Sequence, residues 1–276
     1  MTLCRDGGTV VAVASDRVSD VAVLGELEIT VGGARHELPS GNRIRALWVC
    51  LVLEPQRTVP VDVLIDAVWG SEPPRRARES IHVYISQLRM FAQRCGVDPG
   101  LIETKNRGYR LAVDRHVVDW CRVLVEYDTA RELHRKSSLP ESIAALDKAA
   151  ADFHKPILGG AQGGTKLGAF VQKMEEVELA LIELRNEVML DMGELHTVVS
   201  ELQALVFEYP VHETLHGQLM RALFRSGRQI EALEVYSKLR EDLSDGFGVE
   251  PGSDIRAIHR SILASQSGRP SVQVAL

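Results

Sequence analysis

The stretch "RRARESIHVYISQLRMFAQRCG", residues 75–96, decides how the first half of this chain is read. Ala77, Ile81, Ile85 (with Tyr84), Leu88 and Ala92 fall on one stripe at helical spacing. A helix needs an apolar stripe only about 100° wide to dock on a core, so the rest of its surface is available. That remaining face carries Arg78, Glu79, His82, Val83, Ser86, Gln87, Arg89 and Met90. Shortly after it, "LIETKNRGYRLAV" (101–113) reads as strand, tight turn and strand, with Lys105, Asn106, Arg107 and Gly108 at the tip. Gly108 is read as permitting the turn and Tyr109 as packing back. A polar helix face is usually just solvated surface, and turn tips are polar by default. Neither feature alone identifies a ligand; their combination and order do.

Working outward toward the N-terminus, "VAVLGELEITVGGARHELPS" (21–40) has two β-rich runs around Gly32-Gly33, a short-range hairpin signal. In "GNRIRALWVCLVLEP" (41–55), Ile44, Leu47, Trp48, Leu51 and Val52 repeat at helical spacing and Pro55 follows the end. "VPVDVLIDAVWG" (59–70) places Val63, Leu64, Val68 and Trp69 on one helix face before Gly70, and Pro73-Pro74 breaks the chain ahead of the long helix. Trp48 and Trp69 are read as core aromatics. Hairpin, helix, helix, long helix, hairpin is the order of an OmpR-type winged helix. In that arrangement the long helix enters the major groove, where Arg, Gln and His can bond base edges. The basic hairpin, the wing, meets the negative potential of the neighbouring minor groove.

From Val117 onward the pattern is almost wholly helical. Three helix pairs are legible, followed by a last helix at "VEPGSDIRAIHRSILA". Gly193 and Gly227 fall in the turns of successive pairs, 34 residues apart, which is the tetratricopeptide period. Such pairs cannot bury their apolar faces alone; they stack and leave a concave surface of the kind that binds protein or peptide. The fold class expected is therefore mainly α with small β-sheets. An N-terminal winged helix-turn-helix is followed by a tetratricopeptide-like helical repeat domain. The expected bounds are a flexible tail over 1–19, the winged helix over 20–115, the repeat domain over 116–266 and a second tail over 267–276.

The totals agree with such a molecule. The 276 residues are 45% hydrophobic and 25% charged, enough for about two domains with real cores. No apolar run reaches the length of a membrane span, and the N-terminal apolar patch is too short for a secretory signal. Cys4, Cys50, Cys95 and Cys121 lack C-x-x-C spacing, which points to reduced thiols and a cytoplasmic protein. Formal net charge is −6, yet residues 1–115 hold 15 Lys+Arg against 14 Asp+Glu, while 116–276 hold 17 against 24. A near-neutral first part with clumped cations can bind a polyanion. "GGAQGGTK" (159–166) lacks phosphate-loop spacing and has no strand before it. His196, His212 and His216 lack a third ligand in register, so no metal site is expected. No cofactor and no catalytic constellation are expected, and an enzyme is the least favoured reading.

With these residues in view, the chain resembles the Streptomyces antibiotic regulatory protein family over residues 20 to about 266. The resemblance rests on "LIDAVWGSEPP", "VYISQLR", "GYRL", "HETLHGQLMRAL" and "GRQIEALEVY…LREDL…GVEP". It implies an OmpR-type DNA-binding domain joined to a bacterial transcriptional activation domain, in an activator of secondary-metabolite gene clusters. It also implies binding to double-stranded promoter DNA at direct repeats overlapping the −35 region, by protomers arranged head to tail. The implied protein partner is RNA polymerase, notably the C-terminal region of its sigma factor. By position, Arg78, Glu79, His82, Val83, Ser86, Gln87 and Arg89 should face DNA, with Tyr84 near a phosphate. Lys105, Asn106 and Arg107 form the wing contact, and Arg43 and Arg45 are placed for phosphates. Gln87 and Met90 stand where members often carry basic residues, which implies weaker phosphate attraction and a different preferred base. The chain resembles the small members of the family. Two other readings stay open: a ligand-responsive repressor, and a helical-repeat scaffold whose winged helix binds protein.

Overall fold

The computed structural model describes residues 18–265. The readings made for residues 1–17 and 266–276, and for Cys4, lie outside the described residues. The described residues divide into two compact units, 18–125 with 151–176, and 126–150 with 177–265.

In the first unit, β1 (Val18–Ala22), β2 (Glu28–Val31) and β3 (Ala34–Glu37) form one antiparallel sheet in that order. The β2–β3 turn at Gly32-Gly33 is the hairpin the sequence indicates; β1 adds a third strand to it. Next comes α1 (Asn42–Val52), which is buried on nearly every side from Ala46 to Val52, with Trp48 only 1% exposed. A helix that is apolar all round sits at the centre of its unit. The three-residue strand β4 (Thr58–Pro60) then leads directly into α2 (Val61–Trp69).

The inward face of α2 is Val61, Leu64, Ala67 and Val68, so of the expected stripe Leu64 and Val68 are buried while Val63 and Trp69 are not. Val63 is 37% exposed and Trp69 is half-buried. The helix starts at Val61 immediately after Pro60, and this sets the rotation of the whole helix. Trp69 is a rim residue: its ring stacks on Tyr84 at 6.1 Å, and Arg43 lies 5.9 Å above it. The long helix α3 (Ala77–Arg94) buries Ala77, Ile81, Ile85, Leu88 and Ala92, as its stripe requires, and adds Phe91.

A second antiparallel sheet closes this part, in the order β4, β6 (Gly108–Leu111), β5 (Ile102–Lys105). Gly108 is required here by close approach of backbone, not by a left-handed turn. A Cβ on it would lie 2.0 Å from the Val59 carbonyl oxygen.

Two further segments complete the first unit. Asp119, at the start of α4 (Asp119–Arg135), is 2% exposed, and its carboxylate accepts N–H bonds from Val23 (2.6 Å), Leu24 (2.7 Å) and Trp120 (2.6 Å). Arg122 bridges Asp20 and Asp152. The glycine-rich loop packs on the ends of α1 and α2. Gly164 N–H donates to Ala67 O at 2.9 Å, and Asn42 exchanges two hydrogen bonds with the Gln162 backbone. A Cβ at Gly163 or Gly164 would meet the Ala67 or Asp66 carbonyl at 2.4 or 2.2 Å, so these glycines serve packing.

The second unit is helical. It contains α5 (Leu139–Ala150), the rest of α6 (Thr165–Met192), α7 (Leu195–Glu208), α8 (Glu213–Arg225), α9 (Gln229–Phe247) and α10 (Ser253–Ala264), with the end of α4. Gly193 and Gly227 occupy the α6–α7 and α8–α9 turns. Leu190, Val198, Leu202, Leu215, Leu219, Met220, Leu223, Leu239, Ile255 and Ile262 form its core. Each such side chain contributes roughly 1.5–3 kcal/mol on burial. Glu187 pairs with Arg221 across α6 and α8 and is held below the usual carboxylate range against the opposing effect of burial. Among the described residues no helix is long and apolar enough to cross a membrane.

Candidate nucleic-acid interface

Because α3 buries one stripe, its other side is left to solvent. Arg78, Glu79, His82, Val83, Ser86, Gln87 and Met90 are all exposed, while Tyr84 and Arg89 are half-buried. The sequence-derived face is therefore one continuous surface. Several of its side chains are also engaged within the unit. Arg78 donates to Asp62 at 2.6 Å, Ser86 Oγ to the His82 carbonyl at 2.9 Å, and Arg76 lies 3.7 Å from Glu79. These are exposed contacts of small net energy, readily exchanged for a ligand.

Two connections tie α3 to the hairpin. His82 Nδ1 and the Tyr109 hydroxyl are 2.5 Å apart, with the rings edge to face. Burial pushes the Tyr109 phenol pKa up, so the hydroxyl meets His82 as a neutral phenol. Arg89 donates through Nε (3.0 Å) and Nη2 (2.6 Å) to the Ile102 carbonyl, and through Nη2 to Thr104 Oγ1 (2.9 Å). Its guanidinium also lies 5.9 Å from the Tyr109 ring centre. Charge-assisted bonds to a fixed carbonyl hold the strand at a set distance from the helix.

At the tip, Lys105, Asn106 and Arg107 are exposed. Lys105 Nζ is 2.7 Å from Glu103, which also receives Arg110 at 2.6 Å. The Lys105 hydrogen bond, with Arg110 in support, holds the Glu103 carboxyl below its ordinary range. One carboxylate between two cations, with Arg107 beyond, leaves the hairpin net positive. Arg43 is exposed beside Trp69, whereas Arg45 is half-buried and its Nε has no hydrogen-bond partner among the described residues. Sequence reasoning missed Thr104 and Tyr109 as the partners that fix the helix–wing geometry. Arg89 bonds Ile102 through its backbone carbonyl, and side-chain alternation along a strand carries no sign of such a contact.

Away from this face, His212 lies 3.3 Å from Glu183, and His216 Nδ1 lies 3.0 Å from the His212 carbonyl. No group of three or more metal-ligating side chains occurs among the described residues.

The first unit is thus a winged helix with a braced basic hairpin, and the second a set of packed helix pairs. Comparison with known proteins agrees. Residues 36–111 match the "Transcriptional regulatory protein, C terminal" family and residues 118–263 the "Bacterial transcriptional activator domain". The transcriptional regulatory protein EmbR of Mycobacterium tuberculosis is 32% identical over 249 residues, 90% of this chain and 64% of EmbR. The regulatory protein DnrI of Streptomyces peucetius is 32% identical over 243 residues, 83% of this chain and 87% of DnrI. A solved structure of M. tuberculosis EmbR in complex with a low-affinity phosphopeptide superposes with a TM-score of 0.85 at 30% identity. That match covers 91% of this chain and 66% of the EmbR chain. The chain belongs to the Streptomyces antibiotic regulatory protein family. These relatives are regulatory proteins.

Proposed function

We propose that this protein activates transcription of a secondary-metabolite gene cluster, binding direct repeats near the promoter −35 element and recruiting RNA polymerase through the sigma-factor C-terminal region. The observation that carries the reading is the double tie between α3 and the hairpin, His82 to Tyr109 and Arg89 to Ile102 and Thr104. It holds a polar helix face and a cationic turn in one fixed arrangement, which adjoining grooves of a duplex require. In this reading Arg78, Glu79, His82, Val83, Ser86 and Gln87 meet base edges in the major groove. Tyr84, Arg43 and Arg45 lie toward phosphates, and Lys105, Asn106 and Arg107 reach the minor groove. Arg89 adds charge at the groove edge while its donors hold the wing. Head-to-tail protomers on direct repeats gain affinity through two linked, individually weak engagements.

Gel shift with promoter fragments tests the reading at moderate salt: a shift with micromolar or tighter affinity is expected, and none supports the scaffold alternative. Two variants separate the roles. Gln87→Ala is expected to relax base preference, with a loss of about 1–3 kcal/mol per bidentate contact. Affinities across single-base operator variants measure this, and an unchanged preference profile removes Gln87 from the readout. Lys105→Ala is expected to weaken binding on all sequences alike and to lower the salt slope by about one unit. An unaltered slope takes the wing away from the phosphates.

A further inference from the structure

The second unit carries a groove that DNA binding leaves unused. Its walls and floor follow from helical spacing. Along the end of α7 and just past it, Val206, Phe207 and Pro210 line one side. His216, Leu219 and Leu223 of α8 make the floor, and a stripe of α9 centred on Val235 forms the other wall. The cavity is about 620 Å³.

Phe207 is 89% exposed at the lip. Its helix already docks through buried Val198, Val199 and Leu202, so the fold of this unit does not require an aromatic there. An exposed aromatic beside an apolar trough marks a surface that another molecule covers.

The α9 wall says what kind of molecule. Besides Val235 it presents Glu231, Glu234 and Asp242. Lys238 pairs with Asp242 at 2.8 Å and Arg228, just before the helix, pairs with Glu231 at 2.6 Å, which leaves the exposed Glu234 as the carboxylate without a cation beside it among the described residues. Burial lowers the His216 pKa, so the floor adds no positive charge at neutral pH. The stripe from 231 to 242 is about 16 Å long at 1.5 Å per residue, or roughly three helical turns. Three turns match the i, i+4, i+7 anchors of an amphipathic helix laid in a groove.

We infer that this groove docks an amphipathic helix of a partner protein, its apolar side against Val206, Phe207, Pro210 and Val235 and its Lys or Arg side chains against Glu234 and the neighbouring carboxylates of α9. This deepens the activation half of the proposed function by assigning the partner contact a place and a chemistry.

The test uses the full chain at physiological salt and two fluorescent peptides of about 18 residues. Both carry leucines at helical spacing; one has Lys and Arg on its flanks and the other Glu. The basic peptide is expected to bind, and the acidic one to bind at least about tenfold more weakly. Phe207→Ala and Glu234→Lys, both at exposed positions, are each expected to weaken the basic peptide about tenfold or more. Equal binding of the two peptides, or binding unmoved by both substitutions, overturns the proposal. So does peptide binding that emerges only after residues 266–276 are deleted, since the chain's own terminus is then the occupant. A dimer in sedimentation that Phe207→Ala dissolves overturns it in favour of a second copy. Promoter affinity measured on the same variants keeps the two readings apart. Intact DNA binding with lost peptide binding supports the groove, and absent DNA binding in the unmodified chain strikes the proposed function alone.

Discussion

Replacing Gly108 with alanine is expected to disrupt the second sheet and to abolish DNA binding with it. The added Cβ would lie 2.0 Å from the Val59 carbonyl oxygen, 2.7 Å from the Val59 carbonyl carbon and 2.9 Å from Pro60 Cα. All three are backbone atoms, so no side-chain rotation relieves the clash. The strand must move away, which costs the pairing of Val59 with Tyr109 and Pro60 with Gly108. Tyr109 carries the hydroxyl that meets His82, so the helix–wing tie is disturbed at the same time. Overpacking in a well-packed core commonly costs about 1–3 kcal/mol, and a backbone clash belongs at or above the top of that range. Urea unfolding measures the stability loss, and a gel shift the loss of binding. A Gly108→Ala protein with unchanged midpoint and affinity refutes the close-approach account of this residue.

The second large effect is expected at Asp119. Alanine there leaves the backbone N–H groups of Val23, Leu24 and Trp120 without their acceptor in a buried site. Each unsatisfied buried donor costs about 1–3 kcal/mol, so a total on the order of 3 kcal/mol is expected after partial relaxation. The loss should appear in unfolding of the first unit, because the carboxylate joins the end of β1 to the start of α4.

The pH dependence has a definite sign. Burial pushes the Asp119 carboxyl up to about 6, against the three N–H bonds that favour its charge. A pKa raised on folding gives stability that is full below the unfolded carboxylate range, near 3.9, and is lost as pH rises through about 6. The stability of the unsubstituted protein relative to Asp119→Asn should therefore fall between pH 4 and pH 7. A relative stability that rises over this window contradicts the assignment.

These two residues also show where sequence reading stops. The long helix was legible because Ala77, Ile81, Ile85 and Leu88 repeat within one element, and the two hairpins because turn residues sit between β-rich runs. The helix pairs were legible for the same reason, with Gly193 and Gly227 as landmarks. Periodicity is local, and what it misses is not. Strand β4 is three residues long and ends in proline, too short for any alternation. The role of Gly108 depends on Val59, and that of Asp119 on Val23 and Leu24, far away in sequence. Trp69 looked like a core aromatic because its helix phase was set by an unseen strand ending at Pro60. The exposure of Arg78, Glu79, His82, Val83, Ser86 and Gln87 was legible residue by residue. The bracing by Thr104 and Tyr109 that ties α3 to the hairpin was not.

The most direct test of the central claim is hydroxyl-radical footprinting of the full chain on a duplex selected from a random pool. Paired protections on one face of the DNA, about a helical turn apart, are expected. Gln87→Ala should change the selected sequence, and Lys105→Ala should thin the protection flanking each site. A chain that enriches no duplex and protects no position at moderate salt contradicts the account.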